Sequence, residues 1–248
     1  MRHLLVSSAT TLVLVALAGC GNTTQPTLTV SAAASLKKAF ESYAKDFDAA
    51  NIRYSFAGSD ELAAQINRGA KPDVFAAANT TLPQHLFEEG FVEKPEVFAT
   101  NRLVLAVPAG SSKVSSLADI ERPGVKLVIG SGSVPIGSYT RELLDRLGPE
   151  AAKKALANVR SAEPDVAGII GKLTQKAADA GFVYVTDVRG AGAKLRAIEL
   201  PAQLQPRVEY GIAVVNGTDS KEEAEAFVGG LLRGRGRDAL REAGFELP

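Results

Sequence analysis

From Thr27 onward the chain alternates short β-rich runs with longer amphipathic ones, the pattern of βα units that stack into parallel sheets. Residues 28–30 read as a first strand. After Ser35, the side chains Leu36, Phe40, Tyr43 and Phe47 fall at helical spacing on one face. A second strand is expected over 52–56, and a helix starting near Ser59 carries Leu62 and Ile66. Pro72-Asp73 then leads into an apolar strand over 74–78. The run 103–107 is followed by the breaker Pro108-Ala109-Gly110, after which the alternation restarts. There the pattern predicts a strand over 126–129, a helix over 136–147 closed by Gly148, a helix over 165–177 and a strand over 182–185. The extended run 208–215 reads as a return crossing. A helical tail follows, with Phe227, Leu231 and Leu232 free to pack on the first region. The expected class is α/β with two βα lobes: residues 27–102 plus 214–248 as lobe I, and 103–213 as lobe II.

The first twenty residues carry a separate signal. Arg2 and His3 precede an apolar run over 4–17, too short and wrongly flanked for a membrane span, which ends in Leu17-Ala18-Gly19-Cys20. That tetrapeptide resembles the bacterial lipobox, in which the Cys becomes the acylated first residue of the mature protein. Residues 1–19 are therefore expected to leave as a lipoprotein signal peptide and Cys20 to carry the lipid. The polar stretch 20–26 would serve as a tether at the outer face of the cell membrane. An ordinary signal peptide with a chance Cys is the alternative.

Composition excludes several function classes. Loss of residues 1–19 removes one base, Arg2, from the 28 bases and none of the 28 acids, leaving a formal net charge of −1. No global basic field therefore attracts nucleic acid. Cys20 is the only cysteine and His85 the only histidine after the leader, which rules out Cys/His metal clusters and Cys–His catalysis. About 230 mature residues suffice for one large or two modest cores.

Four βα junctions, at Ser35, Ser59, Ile136 and Val166, combine a strand end with a helix start among small or hydroxyl-bearing residues. Helix N-termini expose unpaired N–H groups and partial positive charge, so they suit anions without any lysine or arginine. In parallel sheets the carboxyl ends of the strands also line the ligand crevice. Serine is equally a preferred N-cap, so from the junctions alone Ser35 and Ser59 read as caps or as ligand donors.

Seven segments appear in order: Val30-Ser31-Ala32-Ala33-Ala34-Ser35-Leu36, Phe56-Ala57-Gly58-Ser59, Pro72-Asp73-Val74-Phe75-Ala76, Val134-Pro135-Ile136-Gly137, Asp165-Val166, Phe182-Val183-Tyr184 and Val208-Glu209-Tyr210. Together they resemble the ModA-type periplasmic molybdate-binding proteins, over nearly the whole mature chain. The resemblance implies a two-lobed periplasmic-binding-protein fold of type II, its lobes joined by two crossing strands and closing over a tetrahedral oxyanion. It further implies that molybdate or tungstate is held by Ser35 and Ser59, by the backbone N–H groups of Ile136 and Val166, and by the Tyr184 hydroxyl. Molybdenum would enter only as molybdate, with no cofactor. The implied partners are the permease and ATPase of an ABC importer, with the chain itself a monomer. Two departures from the family pattern stand out. Ile136 replaces a small residue, which bears on cavity size, and Asp60 sits beside Ser59, where it is expected to point outward and favour the helix dipole.

An enzyme on the same scaffold would need a titratable group in the cleft. Asp60, Asp165 and Tyr184 are the candidates, but Asp165 reads as the cap of the helix starting at Val166, and no nucleophile–base pair is visible. His85 is expected on the exposed side of a short helix. Gly130-Ser131-Gly132 and Gly168-Ile169-Ile170-Gly171-Lys172 lack the spacing of dinucleotide and phosphate loops. Arg233-Gly234-Arg235-Gly236-Arg237 lacks neighbouring aromatics and reads as a solvated helix end rather than an RNA contact. Within the binding class the runner-up ligand is another oxyanion, sulfate or phosphate, or a metal chelate that uses Asp60.

Overall fold

The computed structural model describes residues 25–248; the expected signal peptide, Cys20 and most of the tether lie outside the described residues. The chain opens with β1 (Thr27–Ala33), α1 (Lys37–Tyr43), β2 (Asn51–Ala57), α2 (Ser59–Asn67), β3 (Val74–Ala77), α3 (Thr81–Glu88) and β4 (Glu96–Asn101). It continues through β5 (Leu103–Pro108), β6 (Leu127–Gly130), α4 (Pro135–Leu147), α5 (Pro149–Ala157), β7 (Val159–Glu163), α6 (Val166–Thr174), β8 (Ala180–Tyr184), α7 (Val185–Ala191) and β9 (Leu195–Glu199). It closes with β10 (Val208–Val214), α8 (Lys221–Arg233) and α9 (Arg235–Ala243).

Two five-stranded mixed sheets organise these elements, in the orders β2-β1-β3-β10-β4 and β7-β6-β8-β5-β9. In each, the fourth strand of the order runs antiparallel to its neighbours, β10 in the first sheet and β5 in the second. The helices cover the sheets through the apolar faces their spacing predicts. Leu36, Phe40 and Tyr43 are buried, and the Phe40 ring meets Phe227 of α8 edge-on at 5.5 Å, which docks the C-terminal helices onto the first lobe. Asp73 explains the polar break before β3: its carboxylate accepts from the Thr29 N–H at 2.6 Å and the Thr29 hydroxyl at 2.7 Å, stitching β3 to β1.

The chain passes between lobes twice. β4 ends at Asn101 and β5 begins at Leu103, so Arg102 alone makes the first passage. The second lies between Glu199 and Val208. The strand read as the return crossing therefore belongs to the first sheet over its whole length, with Val208 opposite Asn101 and Val214 opposite Val74. Its burial explains this: six of its seven residues are buried, the pattern of a strand covered on both faces. The boundary expected at 213/214 thus falls inside β10. Side chains fasten the two passages together. The Arg102 guanidinium reaches Glu199 at 2.9 Å and Glu246 at 3.5 Å, and the Gln205 amide exchanges two hydrogen bonds with the Leu103 backbone.

Candidate functional site

All five residues singled out at the junctions line one cavity of about 20 Å³ between the lobes. Ser35 and Ser59 come from the first lobe, Ile136, Val166 and Tyr184 from the second. Ser35 lies in a short 3-10 turn between β1 and α1, and Ser59 opens α2. Ile136 occupies the second position of α4, after Pro135, whose ring suits a helix start. Gly137 lets that helix end press on the loop after β6: a β-carbon there would lie 1.7 Å from the Ser131 carbonyl oxygen. Val166 opens α6, and Asp165 caps it by accepting from the Gly168 N–H at 2.9 Å. Asp165 also lines the cavity, with one carboxylate oxygen occupied by that cap.

Apart from the Asp165 carboxylate, the polar groups facing the cavity are set to donate. The N–H groups of Ser59, Ile136 and Val166 belong to first helical turns and have no intrahelical acceptor. Ser59 Oγ accepts from the Ala78 N–H at 3.1 Å, and since a backbone amide donates only, the serine proton is left for the cavity. Tyr184 ends β8, and its hydroxyl is buried with no hydrogen-bond partner among the described residues. Burial pushes this phenol well above its usual range, so it is a protonated donor at neutral pH. An unpartnered buried hydroxyl costs about 1–3 kcal/mol, which an acceptor in the cavity would offset.

A family model described as bacterial extracellular solute-binding protein matches residues 28–246. The chain belongs to that family. Among the relatives of this solute-binding protein, the molybdate-binding protein ModA of Mycobacterium tuberculosis is 36% identical over 89% of this chain and 85% of its own. A putative ABC transporter substrate-binding lipoprotein of Bacillus subtilis, YvgL, is 29% identical over 88% of this chain and 86% of its own. The solved periplasmic molybdate-binding protein of Azotobacter vinelandii superposes with a TM-score of 0.80 at 24% identity, covering 89% of this chain and 99% of that one. The fold is thus the two-lobed α/β periplasmic binding protein fold. These relatives bear the names of binding proteins rather than enzymes.

Around the cavity of this solute-binding protein lie features that sequence reading missed. Tyr210 of β10 is fully buried. Its hydroxyl is 3.1 Å from Ser35 Oγ and its ring meets the Tyr184 ring at 5.8 Å. Asn101, at the end of β4, donates its amide to Thr186 Oγ1 at 2.9 Å and to the Tyr210 hydroxyl at 3.5 Å. Gly58 meets the second lobe: a β-carbon there would lie 2.4 Å from the Pro164 carbonyl oxygen and 3.4 Å from Val134 Cγ1. Its φ of −61° suits any residue, so the glycine is required by space alone. The orientation expected for Asp60 is corrected. Its Oδ1 is buried without a partner among the described residues, 2.9 Å from the position of that β-carbon, and faces the lobe contact rather than solvent. The close approach at Gly58 folds this carboxylate oxygen under the opposite lobe.

The buried Asp187 carboxyl accepts from the Tyr184 N–H at 2.9 Å and so fixes the end of β8. Desolvation pushes it up to about 7, the Tyr184 N–H pulls it down and the charge of Asp165 adds to the rise. His85 is exposed on α3, as its spacing predicts. Among the described residues no group of three or more His, Cys, Asp or Glu side chains is placed to hold a metal ion.

Proposed function

We propose that this solute-binding protein captures molybdate, or tungstate, between its lobes through neutral hydrogen-bond donors and delivers it to the permease and ATPase of an ABC importer. The observation that carries this reading is the geometry of Ser59. Its hydroxyl accepts from Ala78 N–H, which leaves its proton free to donate into a cavity where helix starts and the unpartnered Tyr184 hydroxyl also converge. A group that only accepts, such as a fully deprotonated tetrahedral oxyanion, satisfies such a set. Hydrogen phosphate brings a proton that would need an acceptor, and is disfavoured by that mismatch. Sulfate offers the same acceptors as molybdate, so size separates the two. The names of the relatives from M. tuberculosis and A. vinelandii support molybdate.

In this reading residues 27–101 with 208–248, and 103–199, close as two bodies about Arg102 and the 200–207 segment. Ser35 and Ser59 receive the anion first, and closure brings Ile136, Val166 and Tyr184 onto it. Leu17-Ala18-Gly19-Cys20 and the lipoprotein relative in B. subtilis support anchoring through lipid on Cys20. Replacement of Cys20 by Ser should release the protein from the membrane fraction.

A thermal-shift panel tests the ligand assignment, because a ligand that binds only the folded state stabilises it by about 2.7 kcal/mol at a hundredfold excess over Kd. Molybdate and tungstate should raise the unfolding temperature and phosphate should not. No shift with any tetrahedral oxyanion would overturn the assignment.

A further inference from the structure

A serine hydroxyl has one proton. Whether Ser35 serves an anion therefore depends on what occupies its other side. That side is occupied by Tyr210, and the direction of each hydrogen bond in the chain behind it follows from donor and acceptor chemistry. The Arg102 N–H donates to Asn101 Oδ1 at 2.9 Å, which identifies that atom as the carbonyl oxygen and leaves Nδ2 as the donor. The two hydrogens of Nδ2 meet two acceptors, Thr186 Oγ1 at 2.9 Å and the Tyr210 hydroxyl at 3.5 Å. With its oxygen engaged by Asn101, the Tyr210 hydroxyl has its own proton to place, and of the hydroxyls around it Ser35 Oγ, at 3.1 Å, is the one in hydrogen-bond geometry. A phenol is also a better donor than an aliphatic alcohol, so the bond runs from tyrosine to serine. Ser35 is left, like Ser59, with its proton pointing into the cavity.

Resting on the reading of the cavity as an oxyanion site, we infer that Tyr210, held by Asn101, is a positioning residue that turns the Ser35 proton toward the cavity and thereby favours fully deprotonated oxyanions over protonated ones. Ser59 is locked by a backbone amide, which no substitution can reverse. Ser35 is locked by side chains alone. Without the Tyr210 hydroxyl, Ser35 Oγ can rotate and accept, and a hydrogen phosphate proton finds a partner. The relay starts at the passage between lobes: Asn101 precedes Arg102, and its other contact, Thr186, belongs to the second lobe. The orientation of Ser35 is therefore tied to the relative placement of the lobes.

The test is a double-mutant cycle by titration calorimetry on the full-length protein, with molybdate and with inorganic phosphate, for wild type, Ser35→Ala, Tyr210→Phe and the double variant. Tyr210→Phe keeps the ring and its packing. It should weaken molybdate several-fold, by about three- to tenfold, in the Ser35 background and by less than about twofold in the Ser35→Ala background, because the Ser35 proton is no longer held toward the ligand. Phosphate affinity should hold or rise, so the preference for molybdate collapses. Asn101→Leu, which removes the donor behind Tyr210, should shift the preference in the same direction and supplies the test should Tyr210→Phe misfold. An equal molybdate loss in both backgrounds, or phosphate falling in step with molybdate, would overturn the relay while leaving the site intact. A wild-type protein with no molybdate heat would overturn the oxyanion reading and the relay with it.

Discussion

Gly58 of the first lobe lies so close to Pro164 of the second that a β-carbon on Gly58 would stand 2.4 Å from the Pro164 carbonyl oxygen. The lobes are in contact in this structure, and Gly58 is one of the places where they touch, beside the Asn101–Thr186 and Tyr184–Tyr210 contacts.

Gly58→Ala should therefore hold the lobes apart. The new methyl meets a backbone oxygen, which cannot rotate away as a side chain end could. Molybdate affinity should fall by at least about tenfold, because the donors of Ile136, Val166 and Tyr184 no longer reach the ligand together. Stability without ligand should stay within about 0.5 kcal/mol of wild type, since the open form has no clash. Calorimetric titration paired with ligand-free thermal unfolding separates the two effects.

Asp60→Asn should tighten binding. Closure buries Oδ1 of Asp60 without a partner, and leaving a buried acceptor unsatisfied costs about 1–3 kcal/mol. The amide removes a negative charge near a dianion and gains a donor that can turn toward an acceptor such as the Pro164 carbonyl. A several-fold lower Kd for molybdate is expected by calorimetry. Unchanged or weaker binding would show that the carboxylate is solvated or paired when the lobes close.

Asp187 sets a pH dependence of stability. Its folded value, about 7, lies above its ordinary value of 3.8, so between these the folded state binds more protons than the unfolded chain. Stability from this group is full below about pH 4 and is lost as pH rises through 7. Asp187→Asn keeps an acceptor for the Tyr184 N–H and cannot ionise. The stability of wild type relative to Asp187→Asn should therefore fall from pH 4 to pH 7.5 in urea unfolding. A flat difference would mean that the carboxyl is not held protonated.

The junction residues were legible because the physics of the site is local. A strand end, a small residue and a helix start are written in consecutive positions, as in Ala57-Gly58-Ser59 and Val134-Pro135-Ile136. What escaped was non-local or partly polar. β4, β7 and β9 went unread, and all three are edge strands, where exposed charges such as Glu96, Arg160 and Arg196 interrupt the apolar pattern. Tyr210 meets Ser35 across 175 positions of chain through the register of β10 against β3 and β4, which no window of sequence contains. The inward turn of Asp60 depends on the opposite lobe, and helix-dipole reasoning about α2 alone pointed it to solvent.

The most direct measurement is the molybdate affinity of Ser59→Ala and Tyr184→Phe by titration calorimetry, since these side chains stand on opposite lobes and each has one proton free for the cavity. Each substitution should weaken binding by about ten- to a hundredfold, the worth of one hydrogen bond to a charged ligand at about 1.5–3 kcal/mol. Wild-type affinity in both variants would contradict capture of the anion by these neutral donors.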